Sequence, residues 1–264
     1  MTEDLIDQQN SDPRIAQLIK ERFDRIDENL GIEELVETLS KEVMRVHTKD
    51  NKARIVSIVG GAASGKSTLA RSIVAKLASR GVLADVIGTD DYVVGDREFR
   101  REHFEGKEPK AKYDFGLMNA KIEEIRGNID PGQSVSIPTY NAKSGVAIAA
   151  GEEKYIHKVS KIDVLLVEGD FDEVNNPDLR LFVHVPDELR LENRVGRDVR
   201  ERNEADEQKI RENFYQRQQT QHMPYTLPAA QSADLLIDAM LLEGVWRYDV
   251  YQVLDEPQNA EEVV

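Results

Sequence analysis

The chain has 264 residues, is 40% hydrophobic and 32% charged, contains no cysteine and carries a formal net charge of −15. Such a composition suits one soluble globular core with a small appendage, and the lack of cysteine excludes disulfides, a thiolate nucleophile and Cys-ligated metal. The acidic balance disfavours nucleic-acid and anionic-membrane partners; with no apolar run of ~20 residues and no signal-type core in "MTEDLIDQQNSDPR", a cytoplasmic protein is expected.

Residues 1–52 read as an N-terminal helical extension. Asp12 followed by Pro13 is an N-cap with proline at the first helical position. Ile15, Leu18, Ile19, Phe23 and Ile26 then recur on one helical face until Gly31. Ile32, Leu35, Val36, Leu39, Val43 and Val46 repeat the pattern, so the expectation is an αα-hairpin packed on the main domain or on a second copy of the chain.

From Arg54 short apolar runs alternate with helical stretches. "RIVSIV" (54–59), "LADVIGT" (83–89), "VSIP" (135–138), "DVLLVEG" (163–169), "LRLFVHV" (179–185) and "ADLLID" (233–238) read as buried strands. The alternation predicts an α/β fold with a mostly parallel sheet covered on both faces. No helix fits between Tyr140 and Ile162, and "GVAIAAGEEKYIHKV" (145–159) predicts an edge hairpin insertion. The domain would span 53–242, followed by a C-terminal helix and acidic tail at 243–264.

The first strand runs into "GGAASGKST", in which Gly60, Gly65, Lys66 and Ser67 fit G-x-x-x-x-G-K-[ST]. Backbone N–H groups of Gly60, Gly61, Ala62, Ala63, Ser64, Gly65 and the helix start at Thr68 would wrap a nucleotide's phosphates. Lys66 would reach the β- and γ-phosphates and the Ser67 hydroxyl would ligate Mg²⁺. A motor, a switch and a transferase all share this grip. Transfer to an alcohol also needs a base, and Asp90 and Asp91 emerge at the end of the second strand, where parallel sheets place their ligands. Either could take a proton or help hold the metal; they could also simply cap the next helix. Glu168 closes "VLLVEG" at the place of a second metal ligand.

Residues 190–217 carry eight basic against seven acidic residues, whereas 218–264 carry eight acidic against Arg247 alone. Arg190, Arg194 and Arg197 at i, i+4 and i+7 share a helix face and suit a lid, expected at about 187–217, that neutralises phosphoryl charge. Arg194–Asp198 and Arg197–Glu201 are equally good helical salt-bridge pairs.

"GGAASGKST", "TDDY", "KYDFGLM", "IPTYNAKSG", "VLLVEG", "ELRLENRVGRDVRER" and "ADLLID", in this order, resemble the uridine kinase/phosphoribulokinase family of P-loop kinases over roughly residues 54–240. The resemblance implies that MgATP is the phosphoryl donor, Asp90 the catalytic base, and Ser67 and Glu168 the magnesium ligands. It implies that Asp114, with Tyr113 and Tyr140 beside it, holds the hydroxyls of a small ribose-like acceptor. Arg194 and Arg197 match the family's lid arginines and Arg202 the arginine that follows. Uridine kinases place a pyrimidine-reading His after "PxY"; this chain has Gly145 there and no His until His157, and Asn203–Glu204 replace a further basic residue. "TYNAKSG", "DDYVVGDR" and "YDFGLM" lean toward phosphoribulokinases. Nucleoside, sugar and sugar phosphate all remain as acceptors, and Lys143, Arg97, Arg100 and Arg101 are either ligands for an acceptor phosphate or solvated charges. A nucleotide-dependent regulator and a kinase of a small acid such as pantothenate or glycerate are the alternatives.

Overall fold

The computed structural model describes residues 12–46, 52–127, 133–141, 145–147, 156–202 and 206–254; the side chains of Ile156, Glu201 and Arg202 are not described. Lys143, Asn203–Glu204 and the tail from 255 lie outside these residues.

Four strands, β2 (Arg54–Gly60), β3 (Ala84–Gly88), β6 (Val164–Gly169) and β7 (Leu179–His184), follow the expected parallel grammar, and so does a fifth that comes from "ADLLID". With β8 (Leu235–Leu242), β9 (Val245–Val253) and β1 (Phe23–Leu30) they form one sheet in the order β1-β9-β8-β7-β2-β6-β3. Pairing is parallel from β3 to β8 and antiparallel in β8–β9 and β1–β9. The register aligns Gly88 and Ile58 with Glu168, so the ends of three neighbouring strands open on one crevice.

Helices α2 (Ile32–Arg45) and α3 (Lys66–Ser79) cover one face: Leu35, Leu39 and Val43 join Leu69, Ile73 and Leu77 over Val56, Ile58 and Leu166. On the other face Met118 and Ile122 of α5 (Phe115–Arg126) pack on Ile55, Ile87 and Leu165. α1 (Pro13–Arg22), capped by Asp12, places Ile15 against Leu227, Phe182 and Leu236. An exposed helix, α4 (Arg97–Phe104), follows β3 and its turn, and α6 (Asp187–Arg202) and α7 (Glu207–Arg217) form the arginine-bearing pair.

Three sequence expectations are corrected. The N-terminal extension is not wholly helical: α1 stops at Arg22, and Phe23–Leu30 becomes an edge strand paired with β9. The spacing of Phe23 and Ile26 fits a helix, but Phe23 is buried as a strand residue while Ile26 is exposed. Residues 245–253 are likewise a strand, not a C-terminal helix. Glu243 and Gly244, with φ of 51° and 79°, make the two-residue turn that suits a tight hairpin and reverse the chain from β8 into β9. Finally, "VSIP" does not enter the main sheet. As β4 (Val135–Pro138) it pairs with β5 (Ile156–Val159) in a separate two-stranded ribbon. Its alternating burial and terminal proline suit a ribbon buried on one face. The insertion expected at 145–159 therefore draws its first strand from upstream.

Because α2 shares the main core, Leu39→Ala should destabilise the whole protein by about 2–5 kcal/mol, seen as one shifted urea transition. A separate early transition would make α2 an appendage.

Candidate active site

The P-loop is built by strain that glycine relieves. Gly60 ends β2 so close to its neighbour that a Cβ there would stand 2.4 Å from the Val183 carbonyl oxygen. A Cβ on Gly61 would stand 2.1 Å from Arg190 Nη1. Gly65 turns the chain into α3 with φ 83°. Lys66 folds back under the loop, buried, with Nζ donating to Gly60 O (2.8 Å), Gly61 O (2.9 Å) and Asp170 Oδ1 (3.1 Å). Ser67 Oγ donates to Glu168 Oε1 at 2.8 Å. Ala62, Ala63, Ser64 and Thr68 complete the loop and the first turn of α3 as the motif predicts.

The two aspartates after β3 take separate roles. Asp91 Oδ2 accepts from Gly88 N (2.8 Å) and Oδ1 from Tyr140 N (2.7 Å), which ties the strand end to the ribbon. Asp90 instead accepts from the Tyr113 hydroxyl at 3.2 Å. Backbone bonds from Val94 N to Lys112 O and from Asp114 N to Tyr92 O, each 2.8 Å, bring the two segments together. Asp114 caps α5 by accepting from Leu117 N at 2.8 Å. Tyr113 is wedged by Phe115 and Phe171, with ring centroids 5.4 and 5.5 Å away.

Asp90 is exposed at the crevice mouth, yet desolvation by the surrounding protein, and after it nearby Asp170, pushes its pKa up. Burial also raises Glu168. Burial opposes ionisation of Asp170 too, but Lys66 and Arg217 outweigh it and hold its pKa low.

The lid arginines are arranged differently from a free cationic face. Arg190 is buried, with Nη2 donating to Gln218 Oε1 at 2.7 Å and its guanidinium over the Phe214 ring at 5.3 Å. It also pairs with Asp187. Arg194 and Arg197 both converge on the buried Asp198, at 3.4 and 3.0 Å. Arg194 lines a cavity with Ala62 and Asp170; Arg197 is not among its lining residues. The Arg202 side chain lies outside the described residues.

The Phosphoribulokinase / Uridine kinase family model matches residues 55–245. The chain belongs to this family. Among curated relatives, the uridine kinase of Ureaplasma parvum serovar 3 is 26% identical over 163 residues, spanning 59% of this chain and 74% of the relative. That of Chloroflexus aurantiacus is 28% identical over 191 residues, spanning 69% and 85%. The solved D-glycerate 3-kinase from Cryptococcus neoformans var. grubii superimposes with a TM-score of 0.56 at 11% identity, covering 78% of this chain and 94% of that one; this likeness concerns the fold alone. This family member is thus an ATP-dependent small-molecule kinase of α/β P-loop fold.

Four residues of this family member were not found by motif. Asp170, two positions beyond Glu168, joins Lys66 to the segment after α7, where Gln221 Nε2 donates to its Oδ2 at 2.9 Å. His222 stands 3.0 Å from the site of a Cβ on Gly61. Arg217 lines the cavity above Ala62 and Asp170, and Lys112 is half-buried beside Tyr113. Burial, and after it the Arg217 charge, brings the Lys112 amine down to about 8. Lys112 opens the "KYDFGLM" motif without its side chain being marked by it, and no contiguous pattern marks the other three, because each reaches the site by tertiary packing.

The basic residues offered for an acceptor phosphate divide. Arg100 Nη1 is tied to Gly95 O at 2.6 Å, Arg101 is exposed, and Arg97 packs so closely on Gly145 that a Cβ there would meet it at 2.6 Å. His157 Nε2 lies 2.8 Å from Asp85 Oδ2, at the ribbon.

Two buried histidines sit beneath the loop. Burial, reinforced by Arg190, holds His184 at about 4 and His222 at about 3. Both are neutral in the fold, whereas the unfolded chain takes up protons below about pH 6.5. Stability is therefore complete above that pH and declines as pH falls toward the folded values. Between pH 6.5 and 5 each should contribute a loss of up to about 2 kcal/mol, measurable as a falling urea midpoint that His184→Gln flattens.

Proposed function

We propose that the chain moves the γ-phosphoryl group of MgATP to a hydroxyl of a small ribose-like acceptor, a nucleoside, a pentose or a pentose phosphate. The observation that carries this reading is Asp90: a carboxylate oriented by the Tyr113 hydroxyl in the crevice that also contains Lys66 and Glu168. A motor or a switch has no use for a base at that place, whereas an alcohol acceptor requires one.

Ser67 Oγ and Glu168 Oε1, 2.8 Å apart, offer two hard oxygens. Mg²⁺ is typically held by one or two protein oxygens together with phosphates and water, so this pair fits it. Among the described residues no cluster of three or more His, Asp or Glu offers an all-protein metal site. When bound, the ion would neutralise charge on the β- and γ-phosphates.

The residues then divide the work. Backbone N–H groups from Gly60 to Thr68 and the N-terminus of α3 hold the phosphates. Lys66 Nζ exchanges its loop carbonyls for phosphate oxygens. Asp90 accepts the acceptor's hydroxyl proton, while Asp114, Tyr113 and Tyr140 orient its other hydroxyls. Arg194, Arg197 and Arg202 come from the lid, whose closure keeps water from competing with the acceptor. Arg97 at Gly145, and His157 at Asp85, leave the pyrimidine-reading histidine unreplaced, which broadens the acceptor beyond uridine.

The test is ADP formation with and without a panel of nucleosides, pentoses, pentose phosphates and small hydroxy acids. Strong stimulation by one ribose-like compound is expected. A slow rate indifferent to every compound would make the chain a nucleotide-dependent regulator, and stimulation by an acid alone would reassign the acceptor.

A further inference from the structure

Beyond Arg217 the helix changes character. α7 runs directly into a π-helical segment, Gln218–Thr226, that includes Pro224. Such wider windings are rare and concentrate at functional sites. Here the segment is held at three buried points around the P-loop, one of them on the loop itself. Gln218 accepts from Arg190, Gln221 donates to Asp170, and His222 abuts Gly61. Arg217, at the start of this pinned stretch, has its backbone fixed while its side chain is exposed and lines the cavity shared by Ala62, Asp170 and Arg194.

The charges around that cavity are unevenly matched. Asp187 pairs with Arg190, and Asp198 with Arg194 and Arg197. Arg217 makes no ion pair with a described residue, and its charge is felt at Asp90, Tyr113, Lys112 and Asp170. It therefore lies between the lid and the acceptor crevice, where negative charge would develop during transfer. The sequence carries Asn203–Glu204 rather than a further basic residue after Arg202, so a cation from the other helix of the pair answers a local deficit.

We propose that Arg217 is a further catalytic residue, its guanidinium contacting the phosphoryl group in transit. The inference rests on the kinase reading above. The acceptor oxygen forms its bond to the γ-phosphorus as the bond to the bridging oxygen of ADP breaks, and the hydroxyl proton passes to Asp90. Arg217 stays protonated throughout and acts by charge and hydrogen bonding alone.

Arg217→Ala should lower kcat by about 10²–10³-fold with little change in the KM for ATP. Arg217→Lys should recover only part, since an ammonium lacks the planar fork. Added guanidinium should restore turnover to Arg217→Ala but not to the parent, a response that a merely structural role would not give. Turnover close to the parent's, or a loss confined to KM, overturns the proposal. A second measurement needs no acceptor: the rise in Tm when fluoroaluminate joins MgADP. Arg217→Ala should lose this rise and keep the shift due to MgADP alone. An equal rise in both proteins, or none in the parent, overturns the assignment. Should the acceptor panel fail altogether, the kinase reading falls and the fluoroaluminate comparison still decides Arg217.

Discussion

Asp90→Asn lowers turnover by about 10²–10⁴-fold, the usual worth of a general base, while MgADP binds as tightly as to the parent. Asparagine keeps the shape and still accepts from the Tyr113 hydroxyl, so the crevice should stay assembled. What it loses is the capacity to take a proton. Lys66 and the loop carbonyls make no direct contact with Asp90, which is why nucleotide affinity is spared. Steady-state kinetics with the acceptor chosen by the panel, and calorimetry with MgADP, together check both halves. Asp91→Asn is the natural control: its two backbone bonds make it a structural residue, so its loss should register in stability. Parent-like turnover in Asp90→Asn would remove the carboxylate from the chemistry.

Lys66→Met carries the second large effect, and it acts in two places. In catalysis the loss of one preorganised donor costs about 10²–10³-fold in turnover. In the folded protein Lys66 also faces Asp170 directly and moderates the charge of Glu168. Without it Asp90, Glu168 and Asp170 confront one another across one crevice. Leaving these groups without the ammonium in direct contact, with Arg217 still nearby, should lower stability by about 1–3 kcal/mol, seen in the urea midpoint. Lys66→Arg should not rescue activity, because the compact ammonium donates to two backbone carbonyls at 2.8 and 2.9 Å, a placement that a longer, planar guanidinium does not reproduce. If Lys66→Met kept the parent's rate, the P-loop would not be gripping the transferred phosphate.

What was legible in the sequence was what is local. The phosphate loop, the carboxylate ending β6 and the aspartates after β3 each follow an apolar strand directly, so strand, turn and chemistry fall within about ten residues. The distinction between Asp90 and Asp91 was not local: it depends on Tyr140 and Tyr113 arriving from elsewhere. Asp170 and Arg217 were hidden for the same reason, one sitting outside any pattern and the other ending an ordinary amphipathic helix. The spacing of Arg190, Arg194 and Arg197 marks one helix face, but Asp198 lies on that face too and gathers two of them. "FDRIDENL" reads as helix because its apolar residues suit a 3.6-residue period, while its strand partner is more than two hundred residues away. "VWRYDVYQV" offered a readable signal in its β-branched and aromatic content after a Glu-Gly turn.

The union of β1 with β9 has a consequence for how the molecule is made. β1, among the first described segments to be synthesised, must wait for one of the last before its edge hydrogen bonds exist. Until then Phe23 and the apolar stripe of α2 have only part of their eventual cover, and the loop to be closed is nearly the whole chain. Pairings of such high sequence separation are slow to form and lengthen exposure to aggregation. Ribosomal release of β9, rather than completion of the phosphate-binding centre, is therefore the event that seals this kinase.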